Sequence, residues 1–563
     1  MKHDPITLEI LSNALGSATD EAFVALMKSA HSTNIKERND HSTALFDRNG
    51  RLVVQAKRSL PVHIGSITGT VLGVIRRYGD RMKDGDLYIG NDPYVAQGSH
   101  LPDISMVMPV FTAGELVGFS ANVAHHADIG GAVPGSMAGG LTDLHQEGIR
   151  IPVVRLIEEG RWNAELFETL LLNVRGAAER RGDYFAQLAA CKLGRTRLLE
   201  VIGRYGPAFV QSAFDEIVLR TERRLRASLS AIPDGVYTFE DVMDDDGVGT
   251  RNIPIRLAVT KAGERILFDF AGSAPQVEGN INLTLNATVA CVCFALKALV
   301  DPEAPSNHGV LAAVDVTAPE GSIVNAVFPA AVAQRSQTCQ RVADITIACL
   351  ADALPERAMG ASNGANTTAV FSGTDPRTGR PYVYFETLGG GVGGRFDHDG
   401  KDGVQANLTN TSNLPIEAIE QEYPLRVDEY SLVPDSGGAG RHRGGMGLRR
   451  IVRPLGHVCT FSGAGERFAN HPPGIFGGHE GAIGSFSLAT PAGREPLAAK
   501  LKGVTIPSGA SVVIETPGAG GYGPPDERSR EQLDQDRRSG RFSERYLAQH
   551  YGSESGRPAS GDR

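Results

Sequence analysis

The chain of 563 residues lacks several features that define whole classes of protein. Its six cysteines form no CxxC pair and suggest no disulfide framework, which argues against a small disulfide-stabilised secreted domain. No apolar run reaches the roughly 18–20 residues that a membrane-spanning helix needs. The charged first residues, MKHDPITLEI, do not follow the pattern of a secretory signal. These absences predict a soluble, reduced, cytoplasmic protein that does not act at a membrane.

Excess basic charge and nucleotide-binding motifs are also missing. The chain has 56 Lys and Arg against 65 Asp and Glu, a formal net charge of -9, which argues against nucleic acid as a partner. No Walker A sequence and no GxSxG elbow occur. The run LGGGVGGR (residues 388–395) lacks the Lys-Ser/Thr ending of a phosphate loop, so we interpret it as a structural glycine turn. The sequence therefore predicts no cofactor-binding loop in this chain.

Length and composition instead predict an ordinary globular protein with several cores. A chain of this size exceeds what one hydrophobic core supports, and its 67 glycines indicate many tight turns and close backbone approaches. We expect a mixed α and β, multidomain fold. Five segments are predicted: an α/β metal-site domain (1–160), a helical scaffold (161–232), an α/β domain (233–359), a Gly-rich β domain (360–525) and a charged helical tail, partly disordered (526–563).

The densest set of chemically active side chains lies between Gly90 and Gly148. His100 and Asp103 are three residues apart in HLPDI, and His125 and His126 follow in AHHADIGG. Histidine nitrogens and carboxylate oxygens at such spacings are typical ligands of a divalent metal. The competing interpretation is capping and buried hydrogen bonding. We predict a metal centre here and expect the rest of the chain to fold around it.

Strand geometry narrows the candidates within this set. Asp103 begins the predicted strand ISMVMPVF and His125 ends the predicted strand ELVGFSANVAH, so antiparallel pairing brings the two to one end. Consecutive residues of a strand point to opposite faces, which argues against His125 and His126 both being ligands. Spacing alone does not choose between them.

Charged groups elsewhere allow weaker predictions. Arg335 and Arg341, in AQRSQTCQR, either grip an anionic intermediate or lie on the surface. The acidic run 244–246 lacks the spacing and the bidentate Glu of a calcium loop, which favours a solvated turn.

Ordered motifs along nearly the whole chain resemble the hydantoinase B family. They include NIKERNDHSTALFDRNGRLVVQA, PVHIGS, GNDPY, HLPDI, AHHADIGG, EGIRIPVV and EGNINLTLNAT, and later GERFANHPPGIFGG and IETPGAGGYGPP. The resemblance extends from about Pro5 to Tyr551. The family includes subunits of ATP-dependent hydantoinases, the C-terminal half of 5-oxoprolinases, and subunits of acetone and acetophenone carboxylases.

The resemblance implies a set of site residues. The family's metal ligands match His100, Asp103 and His125, and Asp40 in ERND matches a further carboxylate ligand. The family often has a bulky aromatic residue where His126 stands, which makes His126 a pocket residue and His125 the ligand. Zinc and manganese both suit such mixed nitrogen and oxygen ligands.

The resemblance also implies a two-subunit reaction. An A-type subunit with an actin-like ATPase fold phosphorylates the carbonyl oxygen of a small cyclic amide, and this chain hydrolyses the activated intermediate in a hetero-oligomer. Glu147 or Asp128 would take the proton from water, although either also suits a hydrogen bond to a ligand histidine. The expected substrate is a hydantoin, 5-oxoproline or another lactam. The alternatives are a subunit of an ATP-dependent ketone carboxylase and a non-catalytic scaffold for the ATPase subunit.

Overall fold

A computed structural model describes residues 4–552 of the chain. Within that range it contains four β-sheets and twelve α-helices, so the predicted mixed α and β multidomain fold is confirmed. The end of the tail, predicted to be partly disordered, lies outside the described residues. The division into five segments stays a prediction. Between residues 4 and 552, no helix combines the length and apolar character that crossing a membrane requires.

The N-terminal part is built on a seven-stranded antiparallel sheet in the order β2-β1-β5-β4-β3-β6-β7. Its elements are α1 (Pro5–Ser29), α2 (Thr33–Lys36), β1 (His41–Asp47), β2 (Leu52–Gln55), α3 (His63–Tyr78), β3 (Leu87–Gly90), β4 (Asp103–Thr112), β5 (Glu115–His125), β6 (Val154–Glu158) and β7 (Arg161–Trp162). The predicted helical segment follows as α4 (Ala164–Leu172), α5 (Ala177–Tyr205) and α6 (Pro207–Ser228).

Helices cover both faces of this sheet. Leu45 of β1 packs with α1 and α5 on one face, whereas its neighbour Phe46 packs with α3 on the other. A strand covered on both faces needs apolar residues at successive positions. This explains the unbroken run ISMVMPV in β4, which is buried throughout.

The middle part combines a four-stranded sheet with two packed helices. Its elements are β8 (Gly235–Asp245), β9 (Arg251–Ala262), β10 (Arg265–Asp269), α7 (Leu285–Val300), α8 (His308–Ala312), β11 (Asp315–Thr317) and α9 (Arg335–Cys349). Helices α7 and α9 lie against each other in a large hydrophobic core.

The acidic run at the end of β8 is not the solvated turn predicted from sequence. Asp244 and Asp246 are buried. Asp244 accepts hydrogen bonds from the backbone N–H groups of Phe468 and Asn470, whereas Asp246 accepts from those of its own turn. Both carboxylates therefore organise backbone, and that prediction was wrong.

The C-terminal part contains two further sheets, in the orders β13-β12-β16-β19 and β14-β15-β20-β17-β18. Its elements are β12 (Thr367–Thr374), β13 (Pro381–Leu388), α10 (Ile416–Glu422), β14 (Leu425–Leu432), β15 (Leu448–Pro454), β16 (Cys459–Ala464), β17 (Ser485–Thr490), β18 (Gly493–Leu497), β19 (Lys500–Ile506), β20 (Ser511–Glu515), α11 (Arg530–Ser539) and α12 (Glu544–Tyr551).

Beside these sheets, glycine-rich segments pack backbone against backbone. We call this region the glycine layer; it is formed by residues 360–364, 388–394, 437–447, 474–484 and 517–523. Gly394 donates its N–H to Gly520, which donates in turn to Ala361. A Cβ added to Gly518 would lie 1.8 Å from the carbonyl oxygen of Ser436. Close approach therefore demands glycine here, and LGGGVGGR belongs to this layer.

Candidate metal centre

Strand pairing places Asp103 directly opposite His125. The two residues are Cα partners in the antiparallel β4–β5 ladder, as the sequence predicted. His100 lies in the turn that leads into β4, where the carbonyl of His100 accepts the N–H of Asp103. Three side chains from two neighbouring strand ends therefore meet at one edge of the sheet.

These three side chains form a compact, buried cluster. One potential ligand atom from each of His100, Asp103 and His125 lies within 4.8 Å of the others. The Nε2 atom of His100 is 3.2 Å from Oδ1 of Asp103. All three side chains are at most 4% exposed. Two nitrogens and one carboxylate oxygen at such distances are a donor set suited to zinc or manganese.

The atoms that face the centre of the cluster are unpaired. Nε2 of His100, Oδ1 of Asp103 and Nε2 of His125 are buried and have no hydrogen-bond partner among the described residues. Polar atoms buried together without partners are unfavourable unless a bound group satisfies them. The opposite edge of His100 is held, since its Nδ1 donates to the carbonyl of Ala333, 2.9 Å away. His100 therefore presents a lone pair at Nε2 to the cluster.

His125 is held from the other side by an amide. Its Nδ1 lies 2.9 Å from the side-chain nitrogen of Asn34, and the guanidinium of Arg38 donates to the Asn34 side-chain oxygen. The orientation of this amide sets which ring nitrogen carries the hydrogen. In the observed orientation this amide also donates to the backbone carbonyl of His125, so Nδ1 accepts and the ring hydrogen lies on Nε2. His100 and Asp103 therefore fit a divalent metal as they stand, whereas His125 would bind one through Nε2 only with the Asn34 amide turned so that its oxygen faces Nδ1.

Electrostatics keep the cluster in a ligating state near neutral pH. Burial lowers the pKa of His100 and of His125, so both rings are neutral. Burial alone would raise the pKa of Asp103, but His100, His63 and Arg335 hold it well below the ordinary value. The cluster therefore offers two neutral imidazoles and one carboxylate.

Asp40 and His63 lie in the wall of the same cavity. Nε2 of His63 is 3.7 Å from Oδ2 of Asp103 and 4.0 Å from Oδ1 of Asp40. Burial raises the pKa of Asp40 to about 7 and lowers that of His63 to about 4. Asp40, predicted as a ligand, is outside the group of three mutually close ligand atoms. His63 was not predicted as a site residue, although PVHIGS was the signal available for it.

Arg335 is buried beside the cluster and is not a surface residue. Its Nη2 donates to Oδ2 of Asp103 at 2.6 Å and to Oγ of Ser99 at 2.7 Å. Its Nε is buried without a partner among the described residues. Arg341 is also buried, but it pairs with Asp241 and so lies in a different network. Of the two predicted arginines, only Arg335 lines the cavity.

The cavity beside the cluster is small, with a volume of about 30 Å³. Its wall combines the side chains of Asp40, Leu60, Val62, His63, His100, Asp103, His125, Met137, Arg335, Ser336, Cys339, Gln340, Asn366, Phe385, Thr387, Leu408, Thr409 and Thr411.

The predicted catalytic residues do not line this cavity. Glu147 is buried, burial raises its pKa to about 8, and its Oε1 accepts the N–H groups of Val332 and Ala333, each at 2.7 Å. The carbonyl of Ala333 in turn receives Nδ1 of His100. Glu147 therefore anchors the backbone that orients a candidate ligand.

Asp128 and His126 also point away from the cluster. Asp128 accepts hydrogen bonds from the backbone of Gly130 and Gly135 and from Arg175. Nε2 of His126 lies 2.9 Å from Oε1 of Gln187 on α5. His125 and His126 thus face opposite sides, as strand alternation predicted.

Fold and site together define a large mixed α/β protein with a buried centre of two histidines and one aspartate. The chain belongs to the hydantoinase B/oxoprolinase family, whose model matches residues 4–525. It is 32% identical to the B-type subunit of a putative D-/L-hydantoinase of Pseudomonas sp. (strain NS671), covering 98% of this chain and 95% of that protein. It is 33% identical to 5-oxoprolinase 1 of Arabidopsis thaliana, of which it spans 42%.

Two solved structures share the fold. The ATP-dependent caprolactamase from Pseudomonas jessenii matches with a TM-score of 0.92 at 30% identity, covering 99% of this chain and 98% of that chain. A nucleotide-free acetone carboxylase matches with a TM-score of 0.90 at 18% identity, covering 98% and 80%. The second likeness concerns the fold alone.

Proposed function

We propose that this chain is the metal-bearing subunit of an ATP-dependent cyclic amide hydrolase. It would hydrolyse a hydantoin, 5-oxoproline or another lactam after a partner subunit has phosphorylated the carbonyl oxygen. The observation that carries the proposal is the cluster of His100, Asp103 and His125, whose inward-facing atoms are buried and unpaired. The names of the relatives, which include a putative hydantoinase and 5-oxoprolinases, support the substrate class.

The side chains around the cluster divide the chemistry between them. A divalent cation held by His100, Asp103 and His125 would supply Lewis-acid activation of water. Arg335 keeps Asp103 ionised and oriented, and its unpaired Nε is a donor for an anionic phosphoryl group. Asp40, in the wall of the same cavity, is the proposed fourth ligand.

The roles of the remaining predicted residues stay predictions. Glu147, Asp128 and His126 make contacts that support holding the loops around the site more than proton transfer within it.

The proposed partner is a hydantoinase A-type ATPase subunit, in a cytoplasmic hetero-oligomer. Two relatives are each named as one subunit of their enzyme, the hydantoinase and a caprolactamase, which supports a multisubunit enzyme. A ketone carboxylase subunit is the second candidate, favoured only by the shared fold with acetone carboxylase. A pure scaffold would not require the buried cluster.

Metal analysis of the co-purified complex tests the centre. We expect near-stoichiometric zinc or manganese in the wild type and little in His100→Ala. His398→Ala, at an exposed histidine, is the matched control and should keep the metal. Equal metal in wild type and His100→Ala would refute the proposed centre.

Substrate-dependent ATP hydrolysis separates the two enzyme classes. The complex should be assayed with hydantoin, 5-oxoproline, 2-pyrrolidone and ε-caprolactam, with and without bicarbonate. Ring opening without bicarbonate supports the hydrolase. A strict bicarbonate requirement, with carboxylation of a ketone, would replace it with the carboxylase.

A further inference from the structure

Helix α9 presents one face to the metal cavity. Arg335, Ser336, Cys339 and Gln340 all line it, at helical positions i, i+1, i+4 and i+5. Gln340 is 1% exposed, so its side chain meets only protein atoms and the contents of the cavity. The Gln340 amide is not among the three candidate ligands His100, Asp103 and His125.

The orientation of the Gln340 amide is fixed by one contact. Its Nε2 donates to the carbonyl oxygen of Ala406 at 3.0 Å. Because a carbonyl accepts only from a donor, the NH₂ end must face Ala406. Oε1 is then left buried, without a partner among the described residues. Leaving a buried acceptor unpaired costs about 1–3 kcal/mol.

The neighbouring Gln337 is fully hydrogen-bonded, in contrast to Gln340. Gln337 lies one turn earlier on α9 and uses both ends of its amide. Its Nε2 donates to the backbone carbonyls of Asn366 and Ala464, and its Oε1 accepts the N–H of Asn366. Gln337 therefore holds structure, whereas Gln340 offers a free acceptor to whatever occupies the cavity.

We propose that Oε1 of Gln340 accepts the N–H of the substrate's ring nitrogen. This inference rests on the proposed function, and it names the substrate class as secondary cyclic amides. A ketone carries no N–H and an N-alkylated lactam has lost it, so both leave Oε1 unpaired. Sites built to hydrogen-bond a substrate group discriminate strongly against analogues that lack it.

The contact also determines which bond breaks. After the oxygen of water bonds to the ring carbon, loss of phosphate from that carbon returns the lactam and wastes ATP. For ring opening, the nitrogen first takes a proton that the attacking water has released and so becomes positively charged. The C–N bond then breaks, its electron pair stays on nitrogen as the amine, and the hydroxyl loses its proton as the carbonyl of an acyl phosphate forms. The acyl phosphate that remains is hydrolysed by a second water to carboxylate and inorganic phosphate. Gln340 stabilises the N–H as nitrogen gains positive charge, which favours ring opening.

The experiment measures ring-opened product per ATP hydrolysed in the co-purified complex. The substrates are the lactam that the wild type opens, from the panel above, and its N-methyl derivative. In Gln340→Met we expect this ratio to fall about tenfold for the N–H lactam, the effect of one buried hydrogen bond, while ATP hydrolysis continues. The wild type should show a similarly low ratio with the N-methyl lactam, and the substitution should lower that ratio no further.

The controls separate this role from a loss of folding. Gln535→Met, at an exposed glutamine of α11, should behave as the wild type does. If Gln340→Met does not fold, Gln340→Ala serves in the same comparison, because each ratio is measured within one variant.

Two results would overturn the inference. One is an equal fall in the ratio for both substrates, which indicates a structural role. The other is an unchanged ratio, which means that Oε1 is met by water only. Failure of the proposed function is a separate result, in which the wild type opens no lactam with ATP.

Discussion

Asp40→Asn should stabilise the metal-free protein, and more so at high pH than at low pH. Asp40 is almost fully buried, and burial raises the pKa of its carboxyl from 3.8 to about 7. The folded state therefore holds a proton at pH values where the unfolded chain has released it. The contribution of this carboxyl to the free energy of unfolding is largest below pH 3.8, declines as the pH rises and is smallest above pH 7.

The size of the effect follows from the shift. A difference of about 3 pKa units corresponds to about 4 kcal/mol, because each unit is worth 1.36 kcal/mol. Stability is lost only up to the folded-state pKa of about 7, so a change from pH 5 to pH 8 covers about 2 of these units. The corresponding loss in the free energy of unfolding is about 3 kcal/mol. An asparagine does not titrate and avoids this loss. In a chain of 563 residues, 1 kcal/mol shifts Tm by about 1 °C, because the unfolding entropy is about 2.1 cal/mol/K per residue. The gain in Tm of Asp40→Asn over wild type should thus be about 2–3 °C larger at pH 8 than at pH 5.

Thermal unfolding after chelation measures this difference. Asp80→Asn, at an exposed aspartate, is the control and should give the same offset at both pH values. Adding zinc or manganese should reverse the order at pH 8, because the wild type then gains a ligand that the variant lacks. A Tm difference that does not change with pH in the metal-free protein would refute the reasoning.

Two further predictions concern the packing of the C-terminal part. Glu386→Ala should destabilise the protein by about 3–5 kcal/mol, measured by denaturant unfolding, because the buried Arg450 loses its carboxylate partner. Unchanged stability would mean that Arg450 finds another partner. Gly518→Ala should prevent folding, judged by soluble yield and circular dichroism, since the added Cβ would lie 1.8 Å from a carbonyl oxygen. Gly203→Ala, at an open position within α5, should instead be neutral or stabilising.

The core of the site was predictable because it is local. Asp103 is the first residue and His125 the last residue of the β4–β5 hairpin, so antiparallel pairing of its strands places them opposite each other. His126, the residue after the end of β5, continues the alternation of the strand and faces away from His125. Short-range geometry was sufficient for both.

The surroundings of the site were not predictable because they come from distant segments. Arg335 reaches Asp103 across 232 residues of chain, and no local pattern indicates that contact. Glu147 is near the cluster in sequence, yet its carboxylate turns to the backbone 185 residues away. The buried Asp244 at the end of β8 likewise depends on a loop more than 200 residues later.

The glycine layer has a thermodynamic consequence for the whole molecule. Backbone hydrogen bonds hold the segments of this layer together. When the segments separate on unfolding, they expose mainly peptide groups and few apolar side chains. Exposing polar surface lowers the heat capacity of unfolding, whereas exposing apolar surface raises it. The layer should therefore contribute little to the curvature of stability with temperature. Cooling weakens the hydrophobic cores of the other parts but leaves this backbone-held region comparatively unaffected.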